Sequence, residues 1–233
     1  MRCVILQPSY VPWRGFFDLV RRSDLFVFLD DVQYDIGWRN RNLIKTPAGT
    51  AWLTVPVHTA GFCRPPFRML NEIPIAYERQ DWVRAHLARL EQSYRHAPYF
   101  ETYIPLVREA LERRPALLVD LTIDLTVRLS RALGLATPFA RASEVATQGG
   151  KTDALIQLLR HFGATSYLSG PAARAYLEPE KFVDAGIALE FIEYDYPEYR
   201  QLYPPFRSGV SILDLLFMEG PAAPDFLRPP TRA

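Results

Sequence analysis

The chain has 233 residues, 48% hydrophobic and 23% charged, with 27 lysines and arginines against 26 aspartates and glutamates. That composition fits a soluble globule of one large domain, and a net charge of +1 argues against a general nucleic-acid or membrane surface. Two cysteines, Cys3 and Cys63, and four histidines, at 58, 86, 96 and 161, supply neither a disulfide framework nor zinc-ligand spacing.

Arg2 to Leu6 is a short apolar run that reads as a buried strand. It stops at Gln7-Pro8-Ser9-Tyr10-Val11-Pro12-Trp13-Arg14-Gly15, where two prolines and a glycine mark a turn. Phe16 to Arg22 reads as a helix, and Leu25 to Leu29 as a second strand ending in Asp30-Asp31. A strand–helix–strand unit of this length is a parallel crossover, and parallel strands present ligand-binding groups at their carboxyl ends. The Gln7–Gly15 turn and the aspartate pair both sit at such ends. A basic cluster follows, Trp38-Arg39-Asn40-Arg41-Asn42 and Lys45, and alternation over Ala51 to Val57 predicts a third strand. Thr59 to Asn71, with Cys63 inside it, reads as a loop, with a short strand near Ile73 to Ile75.

From Asp81 the periodicity turns helical, with Trp82, His86, Leu87, Leu90 and Tyr94 at three- and four-residue steps. Further helices are predicted over Tyr99 to Leu111, where Pro105 kinks the helix or marks its first turn, and over Leu117 to Leu133, stopped by Gly134. These three form a helical subdomain, 81–134, between two parts of an α/β core, 1–80 and 135–233. Phe139 to Ala146 reads as a strand, Gly149-Gly150 opens a helix through Phe162, and Ser166 to Ser169 is a strand running into Gly170-Pro171. A short helix from Pro179, a strand over Ala188 to Tyr194, a loop rich in proline and tyrosine from Tyr196 to Phe206 and a helix over Ser211 to Phe217 complete the chain. The segment from Arg228 to Arg232 reads as a frayed end. The fold expected is α/β, a mainly parallel Rossmann-like sheet with a helical insertion.

Several residues carry chemistry in this pattern. Gln7, Tyr10, Trp13 and Gly15 suit close backbone approach to a ligand at a helix start, or a proline-shaped loop whose aromatics plug the core. Asp30 and Asp31, followed by Gln33, can cap a turn or orient an amine, a hydroxyl or a magnesium ion. Trp38, Arg39, Arg41 and Lys45 read as an anion clamp, with a solvated basic loop as the plainer account. Lys151 follows two glycines without Walker spacing. Ser169, Gly170 and Arg174 follow another strand end. His86 is the general base if its helix lines the cleft, and otherwise a buried structural histidine.

Together the stretches Gln7 to Phe16, Phe28 to Tyr34, Trp38 to Asn42, Trp52 to Pro56, Tyr167 to Pro171 and Ser211 to Phe217 resemble the WbqC-like proteins over almost the whole chain. The family tends to close the last motif with asparagine and glycine, where this chain has Met218 and Glu219 before Gly220. The resemblance implies association with bacterial polysaccharide or lipopolysaccharide gene clusters and other small-molecule pathways. The turn is also similar to that of nucleotidyltransferase-like α/β proteins, whose signature is His-x-Gly-His. Trp13-Arg14-Gly15-Phe16 occupies that signature with the glycine kept and both histidines absent, which implies a related architecture without nucleotidyl transfer.

The function expected is acyl or aminoacyl transfer, forming an amide on an amino sugar or related small-molecule amine, with Asp30, Asp31 and His86 catalytic. Gln7, Tyr10, Trp13, Gly15, Gln33, Trp38, Arg39, Arg41, Lys45, Lys151, Ser169, Gly170 and Arg174 then bind substrate. The alternative is a non-catalytic nucleotide-sugar-binding or scaffolding protein of the same pathway. A hydrolase using Cys63 is the weakest reading, since no histidine stands at diagnostic spacing. No cofactor, metal, nucleic acid or membrane insertion is expected. The cytoplasm is the expected location, and a second copy or a pathway enzyme is the protein partner the reading allows.

Overall fold

The computed structural model describes residues 1–58 and 68–228, so Cys63 and the end of the chain lie outside the described residues. The elements run β1 (Arg2–Leu6), α1 (Arg14–Arg22), β2 (Leu25–Phe28), β3 (Arg41–Thr46), β4 (Gly49–Thr54), α2 (Trp82–Tyr94), α3 (Phe100–Glu112) and α4 (Leu118–Ala132). They continue with β5 (Phe139–Arg141), α5 (Lys151–His161), β6 (Ser166–Ser169), α6 (Pro179–Asp184), β7 (Ala188–Phe191) and α7 (Ile212–Glu219). Five strands form one sheet in the order β5-β2-β1-β6-β7, every pairing parallel, and β3 with β4 makes a separate antiparallel hairpin. This is an α/β fold.

The apolar run of β1 is continuous because the strand is central and covered on both faces. Its side chains alternate between two cores. Val4 packs with Phe26, Phe28, Leu168, α1, α7 and the helices α2 to α4, whereas Cys3 and Ile5 pack with Val27, Tyr167, α5 and α6. The pairings Val4 with Phe26 and Ile5 with Val27 keep like faces together, and a slip of one residue would turn both sets to the wrong core. The helices α2 to α4 are built as their periodicity predicts. Leu118, Leu121, Leu125 and Leu129 of α4 are all buried, Pro105 lies inside α3, and α4 ends at Gly134 with φ +69°.

Some predicted boundaries move. The basic cluster, to which the sequence assigns no element, contains strand β3, because Asn42 and Ile44 alternate inward against β4 while Arg41 and Leu43 stay partly exposed. The strand from Phe139 stops at Arg141, where Ala142–Glu144 turns into a 3-10 helix, and the predicted strand at 73–75 is reduced to isolated bridges. The last strand ends at Phe191, three residues before Tyr194.

Candidate active site at the strand ends

The chain leaves β1 toward β2 and β5 on one side, then returns to lay β6 and β7 on the other. The sheet direction therefore reverses between β1 and β6. In open parallel sheets, ligands bind outside the carboxyl ends of the strands at such a reversal. Gln7 and Ser169-Gly170 flank this point, one just after β1 and the other at the end of β6.

An aromatic wall crosses it. The Trp13 ring meets Tyr194 edge-on at 4.8 Å and Tyr196 at 6.3 Å, and Tyr194 places its hydroxyl beside Gly170, 3.4 Å from where a Cβ would stand. The sequence pointed to Trp13 and Gly170 but not to Tyr194, whose only signal was a tyrosine-rich loop after a strand. Gly15 makes room for protein instead of a ligand, since a side chain there would collide with the indole of Trp13. The loop carrying Tyr196 is held from below. Asp18, fully buried, accepts from Arg21, Arg22 and the Tyr196 hydroxyl, and Arg14 donates to the Pro197 carbonyl under the rings of Tyr196 and Tyr199.

The two adjacent aspartates part company. Asp30 is fully buried and its carboxylate accepts from Arg141 Nε at 2.7 Å, Ser143 N at 3.0 Å and Ser143 Oγ at 2.8 Å. Its oxygens are engaged in joining β2 to the end of β5. Asp31 is half-buried, and among the described residues its carboxylate has no side-chain partner. Burial raises the Asp31 carboxyl above its ordinary value, against the opposing hydrogen bond from its own backbone N–H and with a smaller addition from the neighbouring Asp30.

His86 does not face the strand ends. It is buried in α2, with Nε2 3.1 Å from the Thr54 carbonyl and Nδ1 3.0 Å from the Tyr10 hydroxyl. A carbonyl only accepts, so Nε2 carries the ring proton and Nδ1 accepts from Tyr10. Both nitrogens are committed, and burial pulls the imidazole down to about 4. Tyr10 is turned with it into the core. Lys45 is buried elsewhere, donating from Nζ to the Pro205 carbonyl at 2.7 Å. Tyr10, Lys45 and His86 are therefore not brought together with Trp13 and Gly170, because Tyr10 and His86 bond each other in the core and Lys45 is engaged by the Pro205 carbonyl.

Arg39 reaches the same loop from the next segment. Its Nη1 donates to Ser9 Oγ at 2.9 Å, its Nε to Asp35 at 3.3 Å, and the Trp38 carbonyl accepts from Tyr10 N. Trp38 packs on Trp52, and Arg41 lies over the Trp52 ring. Gln33 is exposed beside a bridge to Met69, Arg174 stacks on Phe191 at 4.2 Å, and Lys151 lies over Tyr176 at 5.5 Å. Among the described residues no group of histidine, cysteine, aspartate and glutamate is arranged to hold a metal ion. No described helix is long and apolar enough to cross a membrane. A cavity of about 440 Å³ beside Leu43 and Arg207, and another of about 430 Å³ beside Arg131 and Pro138, include none of the strand-end residues. The candidate site is instead at the carboxyl ends of the strands, at the reversal between β1 and β6.

A family model described as the WbqC-like protein family matches residues 7–226. Rv1507c, an uncharacterized protein of Mycobacterium tuberculosis, is 38% identical over 230 residues, covering 97% of each chain. No solved structure matches. The matched region begins at the residue that follows β1 and takes in every strand-end loop described above, so the chain belongs to the WbqC-like protein family.

Proposed function

We propose that the protein is a transferase that forms an amide bond on an amino sugar or a related small-molecule amine, with Asp31 receiving the amine. Family membership suggests a role in biosynthesis, and the amide-forming step is the finer reading. The observation that carries it is Asp31, a half-buried carboxylate with no side-chain partner among the described residues, three residues beyond the end of parallel strand β2 and near the sheet reversal. An ammonium must lose a proton before it attacks an acyl carbon, and a carboxylate whose pKa is raised takes that proton more readily than an ordinary one. Gln7 has no side-chain partner among the described residues and stands at the end of the neighbouring strand, where its amide can hydrogen-bond a substrate carbonyl. Asp30 and His86 act on neighbouring protein groups, and Asp30 fixes the strand end from which Asp31 projects.

Replacing Asp31 with asparagine keeps the shape and removes the base. Product formation, followed by mass spectrometry with amino sugars and activated acyl donors, is expected to fall about a hundredfold or more while substrate affinity changes little. Unchanged turnover in Asp31→Asn removes this residue from the mechanism. Binding of the amino sugar without product, across a panel of donors, favours the non-catalytic binder. That second reading draws on Asp30 and His86, whose polar atoms are already engaged within the protein.

A further inference from the structure

In doubly wound sheets the phosphate of a bound nucleotide sits over a glycine in the first turn of the helix after β1. Here that glycine, Gly15, faces the indole of Trp13, which fills the space a phosphate would take. A cationic side chain among exposed indoles stands instead on the β3–β4 hairpin and the segment just before it. Trp38 and Trp52 are 49% and 41% exposed, large values for tryptophan, and their ring centroids are 5.3 Å apart at 49°. The guanidinium of Arg41 lies 4.5 Å over the Trp52 ring. The Arg41 side chain has no ion pair or hydrogen bond to any described residue, its Nε being buried without a partner among them. Arg39, by contrast, is tied to Asp35 and Ser9.

We propose that Trp38, Trp52 and Arg41 form a shelf that binds a nucleoside diphosphate, with the base stacked on Trp38 and a phosphate oxygen accepting from Arg41. Indole faces stack on any base, and a planar guanidinium matches phosphate geometry with paired N–H donors. An arginine already laid on an aromatic ring loses little side-chain freedom on gripping the anion. The shelf is coupled to the strand ends by two bonds: the Trp38 carbonyl accepts from Tyr10 N at 3.2 Å, and Arg39 donates to Ser9. The proposal rests on the reading above, that a small-molecule amine is the substrate, and names the handle by which it is held.

The test uses the full chain, with UDP, ADP, uridine and inorganic phosphate titrated against tryptophan fluorescence and by calorimetry. The diphosphates are expected to bind and quench indole emission, and uridine or phosphate alone to bind at least tenfold more weakly. Arg41→Gln is expected to abolish the advantage of UDP over uridine. Trp38→Ala, which keeps the backbone bond to Tyr10, is expected to weaken nucleotide and nucleoside alike by roughly tenfold or more, with Trp38→Phe restoring most of the loss. Thermal melting of each variant separates lost binding from lost fold. No binding of either diphosphate, or binding indifferent to both substitutions in folded protein, overturns the shelf. Asp31→Asn is expected to bind UDP as the wild type does, so a failure of amide formation with nucleotide binding intact bears on the transfer reading alone.

Discussion

Asp214→Ala is expected to lower unfolding stability by about 3–5 kcal/mol, the range for breaking a buried charged network on one side. Asp214 sits in α7, fully buried. Its Oδ1 accepts from Tyr94 at 2.9 Å, and its Oδ2 from Tyr199 at 2.7 Å and Gln201 at 2.8 Å. Tyr94 accepts in turn from the backbone N–H of Lys45. One carboxylate thus joins α7 to α2, to β3 and to the loop that carries the tyrosines of the aromatic wall. Alanine strips three donors of their acceptor where water has little access, and each stranded group costs about 1–3 kcal/mol. Urea titration reads the loss as a lower midpoint, with Asp195→Ala, an exposed change, as the control expected within about 0.5 kcal/mol of wild type. A loss in Asp214→Ala no larger than in the control refutes the structural role assigned to this network.

Acid should expose the second buried device. His86 is held neutral, its imidazole pulled from 6.5 to about 4 by burial, which outweighs the opposing effect of its bond to Thr54, with a lesser contribution from the charge of Arg89. Below pH 6.5 the unfolded chain takes up a proton at this ring that the folded chain refuses. The unfolded state then binds more protons, so stability falls with falling pH. The fall begins near 6.5 and is complete below about 4, and it amounts to about 3 kcal/mol from this group. Carboxylates titrate in the lower part of the same window, so the informative quantity is the difference between wild type and His86→Gln. Glutamine can keep a donor for the Thr54 carbonyl and an acceptor for Tyr10 but does not titrate. Unfolding free energies at a series of pH values should converge for the two proteins as pH drops toward 4. Parallel curves would show that His86 titrates normally in the folded state.

The same two residues show why a motif alone does not assign a role. Asp214 falls in the Ser211–Phe217 stretch that carries family resemblance, and His86 is one of only four histidines. Both are polar residues on helices among apolar ones, a pattern equally suited to a cleft or to a satisfied core. The partner decides, and each partner is remote: Tyr10 lies 76 residues from His86, and Tyr94 lies 120 residues from Asp214.

Local pattern was enough for the sheet. Apolar runs bounded by prolines, glycines and aspartates determined β1, β2, β6 and the crossover between the first two, and helical spacing determined α2 to α4 and α5, because burial of one face dictates those periods whatever the rest of the chain does. The parallel topology follows from the short strand–helix–strand unit, and with it the rule that the strand ends carry the candidate site. Three things were decided only by tertiary structure. Strand β3 hides inside a basic cluster, because Lys45 is buried with its Nζ donating to the carbonyl of Pro205, 160 residues away. Asp30 and Asp31 are indistinguishable as a dipeptide, yet Arg141 and Ser143 arrive more than 110 residues later to saturate one and leave the other without a side-chain partner among the described residues. Gly15 reads as room for close approach of a ligand until the indole of Trp13 folds onto it, packed edge-on against Tyr194 from a loop that follows β7. Periodicity records which face of an element is buried, whereas the identity of the group that meets a polar side chain depends on long-range packing, which no local spacing encodes.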